Sequence, residues 1–233
     1  ADKERYAGMI HDIAQQVDAF QTDKPHHLSL FVEELDRRLL LLSDEALVLA
    51  SFPSFPSSKV SSMREASARS RELLSLTVSL DTAQWEPRHS IADELVHTEE
   101  VLVRAQATVD WYHGCKDELS VKWGGHGIPF DFDSIGRVQQ ATVGLAKHAM
   151  ELALTAGSRL RLQRSSGAAV SRSAQSKVRA VGDSALRMSF KCHELAGGFD
   201  SEASGMFSEL HALVLEMMEE DEESGGESPV DLE

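Results

Sequence analysis

Apolar residues recur every three or four positions along most of the chain, and this spacing constrains the fold more than any other feature. An α-helix completes a turn in about 3.6 residues, so such residues lie on one stripe of a helix. The first stripe consists of Tyr6, Ile10, Ile13, Val17 and Phe20. Convincing strand alternation, hairpin signals and fixed-period repeats are absent from the sequence. The pattern therefore predicts an all-α protein.

The same spacing predicts about seven helices in an elongated multi-helix bundle. Pro25 ends the first helix, and Pro53 ends a second one that covers 28–49. Ser90 resembles the capping residue of a long fourth helix. Gly197 and the glycine after it form a stop signal for the sixth. The apolar stripe of that sixth helix is predicted to consist of Val178, Val181, Ala185, Met188 and Phe190.

Composition shifts divide the chain into regions. Residues 1–24 are predicted to form an N-terminal helix, which fits the continuation of an upstream coiled coil. Residues 25–215 are predicted to form a helical domain. Within that domain, a Ser/Arg-rich stretch near 163–176 is expected to be a linker. Residues 216–233 carry nine acidic side chains and no basic one, which predicts a disordered tail.

Charge and composition exclude several classes of protein. The net charge of −15 argues against bulk nucleic-acid binding, although residues 1–215 alone carry only −6. Two cysteines fit a reducing compartment rather than a disulfide framework. No apolar run approaches the roughly 20 residues of a membrane-spanning helix. The chain begins without methionine, so we expect a soluble fragment of a longer protein, and whether that longer protein carries a membrane anchor stays open.

Residues that often carry catalysis are present, but their spacing does not support an enzyme. Cys192 and His193 are neighbours, so on a helix they point about 100° apart, and Cys192 is expected in the core. The closest His/Cys cluster is His113, Cys115 and His126, which has too few cysteines for a typical zinc site. We therefore predict no catalytic residue, no metal and no cofactor.

The glycine-rich segment 124–127 resembles a phosphate-binding loop only superficially. It lacks the Lys-Ser/Thr pair and the preceding strand that such loops require, so a turn between helices explains it better. The two carboxylates that follow, Asp131 and Asp133, are predicted to cap the next helix.

Basic residues concentrate in one part of this acidic chain. Between Gly157 and Lys191 there are eight basic residues and one acidic residue, Asp183, which gives a local charge of +7. This cluster of basic residues fits docking against an acidic partner surface. Two alternatives are a solvated helix face and internal neutralisation by the acidic tail. The candidate binding residues are Arg159, Arg161, Arg164, Arg172, Lys177 and Arg179.

Three segments, taken in order, resemble the C-terminal domain of the plant chloroplast unusual positioning protein family. One is the early helix at 31–36, and another is the loop at 127–131 followed by 145–147. The third is 190–202, and its most specific part is the His-x-x-Ala-Gly-Gly-Phe-Asp pattern at 193–200. The positions that carry the family motif are Gly127, Ile128, Pro129, Lys147, His193, Gly197, Gly198, Phe199 and Asp200. The longer loop at 115–126, the stretch 163–176 and the acidic tail depart from the family pattern.

This resemblance implies a function as well as a fold. The family domain is similar to the actin-nucleating domain of formins and is linked to actin-filament assembly during chloroplast movement. Full-length members lie on the cytosolic face of the chloroplast outer envelope and bind profilin through a proline-rich segment that these residues do not include. The implied role here is an actin-binding and filament-assembly module with no membrane contact of its own.

Two further functions remain open at this point. Related plant proteins that share the domain act at cortical microtubules and control cell shape, and microtubules are acidic as well. The chain also fits a structural oligomerisation domain. Filament assembly itself favours a homodimer or a clustered array, because holding two actin subunits together benefits from linked binding sites.

Overall fold

The computed structural model describes residues 2–86, 88 and 90–225, and over these residues it contains eight α-helices, one 3₁₀ turn and no strand. The all-α multi-helix prediction is therefore confirmed. Seven of the helices are long, and α3 is a single short turn. The helices are α1 (Asp2–Ala19), α2 (Pro25–Leu39), α3 (Glu45–Leu49), α4 (Ser57–Leu80), α5 (Ile91–Gly124), α6 (Asp133–Ser165), α7 (Arg172–Ala196) and α8 (Ser201–Gly225).

The second predicted helix is two helices in the structure. Helix α2 ends at Leu39, and α3 begins after Asp44. The Asp44 side chain accepts a hydrogen bond from the backbone N–H of Leu47 at 2.9 Å. Aspartate competes for backbone donors in this way and therefore starts a helix better than it continues one. The prediction of a continuous helix over 28–49 was wrong for this reason.

The linker and the tail are both more helical than the sequence predicts. Helix α6 continues to Ser165 and α7 begins at Arg172, so the connection is 166–171 rather than 163–176. Ser171 accepts a hydrogen bond from the N–H of Ala174 at 3.2 Å and caps α7. Helix α8 continues to Gly225, so the prediction of disorder was wrong for 216–225. The remainder, 226–233, lies outside the described residues.

The structure divides into two compact units, the first comprising Ala1–Ser75 and Trp111–Ser134. Here α1 and α2 run antiparallel, because Phe20 packs on Phe31 at 4.3 Å between ring centroids while Arg38 pairs with Asp12. The predicted α1 stripe is buried at its three central positions. The core of this unit includes Ile10, Ile13, Val17, Leu28, Val32, Leu35, Val60, Met63 and Trp123.

The second unit comprises Leu76–Asp110 and Ile135–Glu233. The side-chain amides of Gln139 and Gln140, early in α6, donate to backbone carbonyls of the last two α7 residues at 3.0 and 2.9 Å. Helices α6 and α7 are therefore antiparallel. The core of this unit includes Leu95, Leu102, Ala105, Val138, Leu145, Ala149, Ala185, Met188, Cys192, Leu210 and Val214. Over the described part of the chain, no helix combines the length and apolarity needed to cross a membrane.

Candidate binding surfaces

The connection between α6 and α7 gathers the six candidate basic residues at one end of the second unit. Because the helices are antiparallel and the connection covers only 166–171, the last turns of α6 lie beside the first turns of α7. We call this region the basic end. It consists of Arg159, Arg161, Arg164, Arg172, Lys177 and Arg179.

Part of the basic end is neutralised within the chain. Arg161 donates a hydrogen bond to Glu216 on α8, and Arg179 lies 4.0 Å from Asp183 one turn along α7. Among the described residues, Arg159 and Lys177 are exposed and form no ion pair. The expectation of internal neutralisation thus holds at Arg161, while the side chains of Arg159 and Lys177 face solvent.

Helix α8 brings acidic residues to the same end. A Cβ atom placed on Gly157 of α6 would lie 2.4 Å from the Leu213 side chain of α8, and the Arg161–Glu216 pair follows one turn later. The two helices therefore run side by side in the same direction. The acidic segment that starts at Glu216 consequently begins next to the basic end rather than apart from it.

The most specific motif segment forms the turn between α7 and α8. Gly197 has a φ of +75°, which L-residues with side chains rarely adopt, and it ends α7. Its N–H donates to Glu194 O at 3.3 Å, and the N–H of Gly198 donates to His193 O at 3.0 Å. This paired arrangement satisfies carbonyl groups that a helix end leaves free. The two motif glycines therefore have a structural role.

Asp200 and Lys147 fix that turn to α6. Asp200 Oδ1 accepts a hydrogen bond from the N–H of Ala203 at 2.8 Å and caps α8. Its other oxygen lies 2.9 Å from Lys147 Nζ, and Lys147 also pairs with Glu202. Two motif positions that are far apart in the sequence are thus partners in an ion pair.

This pair makes a prediction about acid stability. The N–H of Ala203 and the Lys147 ammonium together hold the pKa of Asp200 below its ordinary value of 3.8. The ionised Asp200 carboxylate stabilises the fold fully above its ordinary pKa, and this stabilisation is lost as the pH falls through the lowered pKa. In thermal melts between about pH 2 and pH 7, the melting temperature of Asp200→Asn should therefore fall less on acidification than that of the wild type. Equal pH slopes would contradict this assignment.

The first motif loop has a similar role at the end of α5 in the first unit. Gly127 has a φ of +65°, and the N–H of Ile128 donates to Trp123 O at 3.0 Å. The chain then places Phe130 and Phe132 against Trp123, at 4.5 and 6.0 Å between ring centroids. The glycine-rich segment is therefore a helix end, as the sequence indicates.

The remaining loop positions agree with that interpretation. Pro129 follows the buried Ile128 in the stretch between α5 and α6. Asp131 Oδ1 accepts a hydrogen bond from the N–H of Asp133 at 3.1 Å, where α6 begins. Asp131 thus caps the N–H group at the start of α6 as predicted, whereas the prediction for Asp133 was wrong, because Asp133 is the first residue of the helix itself.

Cys192 and His193 also behave as the sequence indicates. Cys192 is fully buried, and burial raises the pKa of its thiol to about 12. His193 is exposed on another side of α7, with its ring 5.0 Å from that of Phe199 in an edge-on arrangement. The two side chains therefore do not form a nucleophile and base.

Sequence reasoning missed a buried carboxylate–imidazole pair in the second unit. Glu94 on α5 is 7% exposed, and its Oε1 lies 3.0 Å from Nε2 of His148 on α6. Its Oε2 has no hydrogen-bond partner among the described residues, and Arg88 Nε is 3.7 Å away. Trp85 packs edge-on against the His148 ring. The pair joins residues 54 positions apart, so no local spacing could have indicated it.

Together, the fold and these surfaces define an all-α bundle with a basic end beside an acidic helix. Comparison with known proteins found no matching family model. The chain is 26% identical over 213 residues to an uncharacterized protein of Arabidopsis thaliana, At4g04980. The similarity covers 90% of this chain and 28% of that protein, so the chain spans little more than a quarter of its relative. It supports a plant protein family.

Proposed function

We propose that this chain is an actin-binding and actin-filament assembly module of a plant protein that positions chloroplasts. The observation that carries the proposal is the basic end. Six basic side chains from two helices come together in a chain whose net charge is −15. The resemblance of 127–131, 145–147 and 190–202 to the chloroplast-positioning family supplies the biological setting.

Charge provides the physical basis of the proposed contact. Actin filaments present an acidic surface, and complementary charge speeds encounter and fixes orientation between proteins. Arg159 and Lys177 are exposed and have no ion-pair partner among the described residues, so they are available for such a contact. Filament assembly adds the need to hold two subunits together, which we propose a homodimer provides. Profilin binding and location at the outer envelope are extensions that rest on the resemblance alone.

Charge reversal at the basic end tests the proposal. The triple variant Arg159→Glu, Arg172→Glu and Lys177→Glu should weaken cosedimentation with actin filaments by about tenfold or more, which corresponds to roughly 1.4 kcal/mol. The replacement at Arg172 places an acidic residue in the first turn of α7, where it suits the helix dipole and should not impair folding. Wild-type binding should also weaken as salt concentration rises.

The matched control reverses the same number of charges in the first unit. Lys24, Arg71 and Lys116 are exposed there, and replacing all three with glutamate changes the net charge equally. This control should retain filament binding. Equal loss in both variants would show that net charge rather than the basic end determines binding, and unchanged binding in the first variant would reject the interface.

Parallel assays separate the other functions. Cosedimentation with microtubules but not with actin would replace the proposal with the microtubule alternative. Acceleration of pyrene-actin polymerisation in the presence of profilin would support the assembly role. A stable dimer in light scattering with no binding to either filament would identify an oligomerisation domain instead.

A further inference from the structure

Helices α7 and α8 border an apolar groove on the surface of the second unit. The groove consists of two adjacent concavities of about 270 and 430 Å³, which share the rings of Phe190 and Phe207. We call it the α7–α8 groove. Its other described lining residues include Arg187, Lys191, His193, Phe199 and His211.

Phe190 is the main apolar feature of this groove. The sequence places it in the buried stripe of its helix, but the structure corrects this, because Phe190 is 56% exposed. Cys192 faces the core, and two residues correspond to about 200° of rotation, so Phe190 points to the opposite side of α7. Phe207 of α8 also lines the groove and approaches Phe199 at 6.2 Å between ring centroids.

The polar rim of the groove carries basic side chains. Arg187 and Lys191 lie on the α7 side, and His193 and His211 are the other titratable groups that line it. No carboxylate occurs among the described lining residues. One rim residue, Lys191, has its Nζ 3.7 Å from a carboxylate oxygen of Glu99 on α5. The charged residues that line the groove are therefore basic, although the chain as a whole is acidic.

We propose that the α7–α8 groove binds an acidic amphipathic helix of a partner protein. A groove between two helices accommodates a third helix, whose apolar anchors at helical spacing contact the aromatic floor. Acidic residues flanking those anchors would face Arg187 and Lys191, which gives the charge complementarity that selects such a partner. This interface is separate from the basic end and does not depend on the function proposed above.

Three synthetic peptides of about 20 residues test this proposal. All three carry Leu and Ile at anchor positions three and four residues apart. The polar positions are Glu and Gln in the acidic peptide, Gln alone in the neutral peptide, and Lys and Gln in the basic peptide. Fluorescence anisotropy with the full chain should show the acidic peptide binding at least about tenfold more tightly than the basic one. Equal affinities, or no binding of the acidic peptide, would overturn the proposal.

Two variants locate the binding site. Phe190→Glu should weaken binding of the acidic peptide at least about tenfold, because it removes the shared ring and adds a negative charge. Val103→Glu on α5 is the matched control, since Val103 is 58% exposed and does not line the groove. Circular dichroism should show equal helix content in both variants. Unchanged binding by Phe190→Glu would place the peptide elsewhere and reject the proposal.

A second copy of this chain is the competing occupant. Sedimentation velocity should show that Phe190→Glu leaves the oligomeric state of the wild type unchanged. Dissociation of a wild-type dimer by this substitution would mean that another copy fills the groove, which would overturn the proposal of an acidic partner helix. Actin cosedimentation of the same variant should equal that of the wild type, because the basic end is intact.

Discussion

Replacing Trp123 with alanine is expected to lower the free energy of unfolding by about 3–5 kcal/mol. Trp123 is 1% exposed at the end of α5, and its ring contacts the rings of Phe130 and Phe132. Its Nε1 donates a hydrogen bond to Glu65 Oε2 at 3.1 Å, which joins α5 to α4 within the first unit. Alanine would leave a large cavity and remove that bond. Urea denaturation followed by circular dichroism measures the change.

Trp111 provides the matched control on the same helix. It is 39% exposed, and the Arg69 guanidinium lies 3.9 Å from its ring centroid. Its replacement by alanine should cost only about 1 kcal/mol, because the main loss is a partly exposed cation–π contact. A loss at Trp123 no larger than that at Trp111 would show that the aromatic cluster at the α5 end contributes little to stability.

The second large effect is expected at Gly157, where α6 closely approaches α8. A Cβ atom there would lie 2.4 Å from Leu213 Cδ2 and 3.0 Å from Cδ1, and Leu213 is itself buried. Gly157→Ala should therefore destabilise the chain by about 1–3 kcal/mol, although alanine normally favours a helix. The same urea titration measures this effect.

Two further variants test the steric explanation for Gly157. A Cβ atom on Gly144, also in α6, would meet no other described atom within 4 Å, so Gly144→Ala should stabilise the protein by about 0.5–1 kcal/mol. In a Leu213→Ala background, Gly157→Ala should no longer destabilise, because the clashing side chain is gone. A penalty that persists in this background would indicate a backbone effect instead.

Most of the fold could be predicted because its signals are local. The α1 stripe at Ile10, Ile13 and Val17 is buried as its spacing indicates. The break between α2 and α3 was missed because the leucines that follow α2 continue the apolar pattern. Leu40, the C-cap residue of α2, is nevertheless 83% exposed beside the buried Leu39. Apolar spacing identifies a helix but does not determine which apolar residues the tertiary packing will cover.

The candidate surfaces show the same limit. The basic end could be predicted as a sequence cluster, because a short connection keeps its residues together. The Glu94–His148 pair and the α7–α8 groove depend on packing between separate helices, which local spacing does not reveal. The motif residues Gly197 and Asp200 carried a local signal for a helix stop and a cap, but the pairing of Asp200 with Lys147 required the folded structure.

Cysteine burial has a practical consequence for labelling this protein. The Cys192 thiol is enclosed on α7 and stays protonated at neutral pH, so maleimide reagents should not reach it in the folded state. Cys115 on α5 is only partly covered, although burial raises the pKa of its thiol as well. The wild-type sequence therefore offers a single attachment point for a fluorophore, in the first unit and outside the residues of both proposed interfaces.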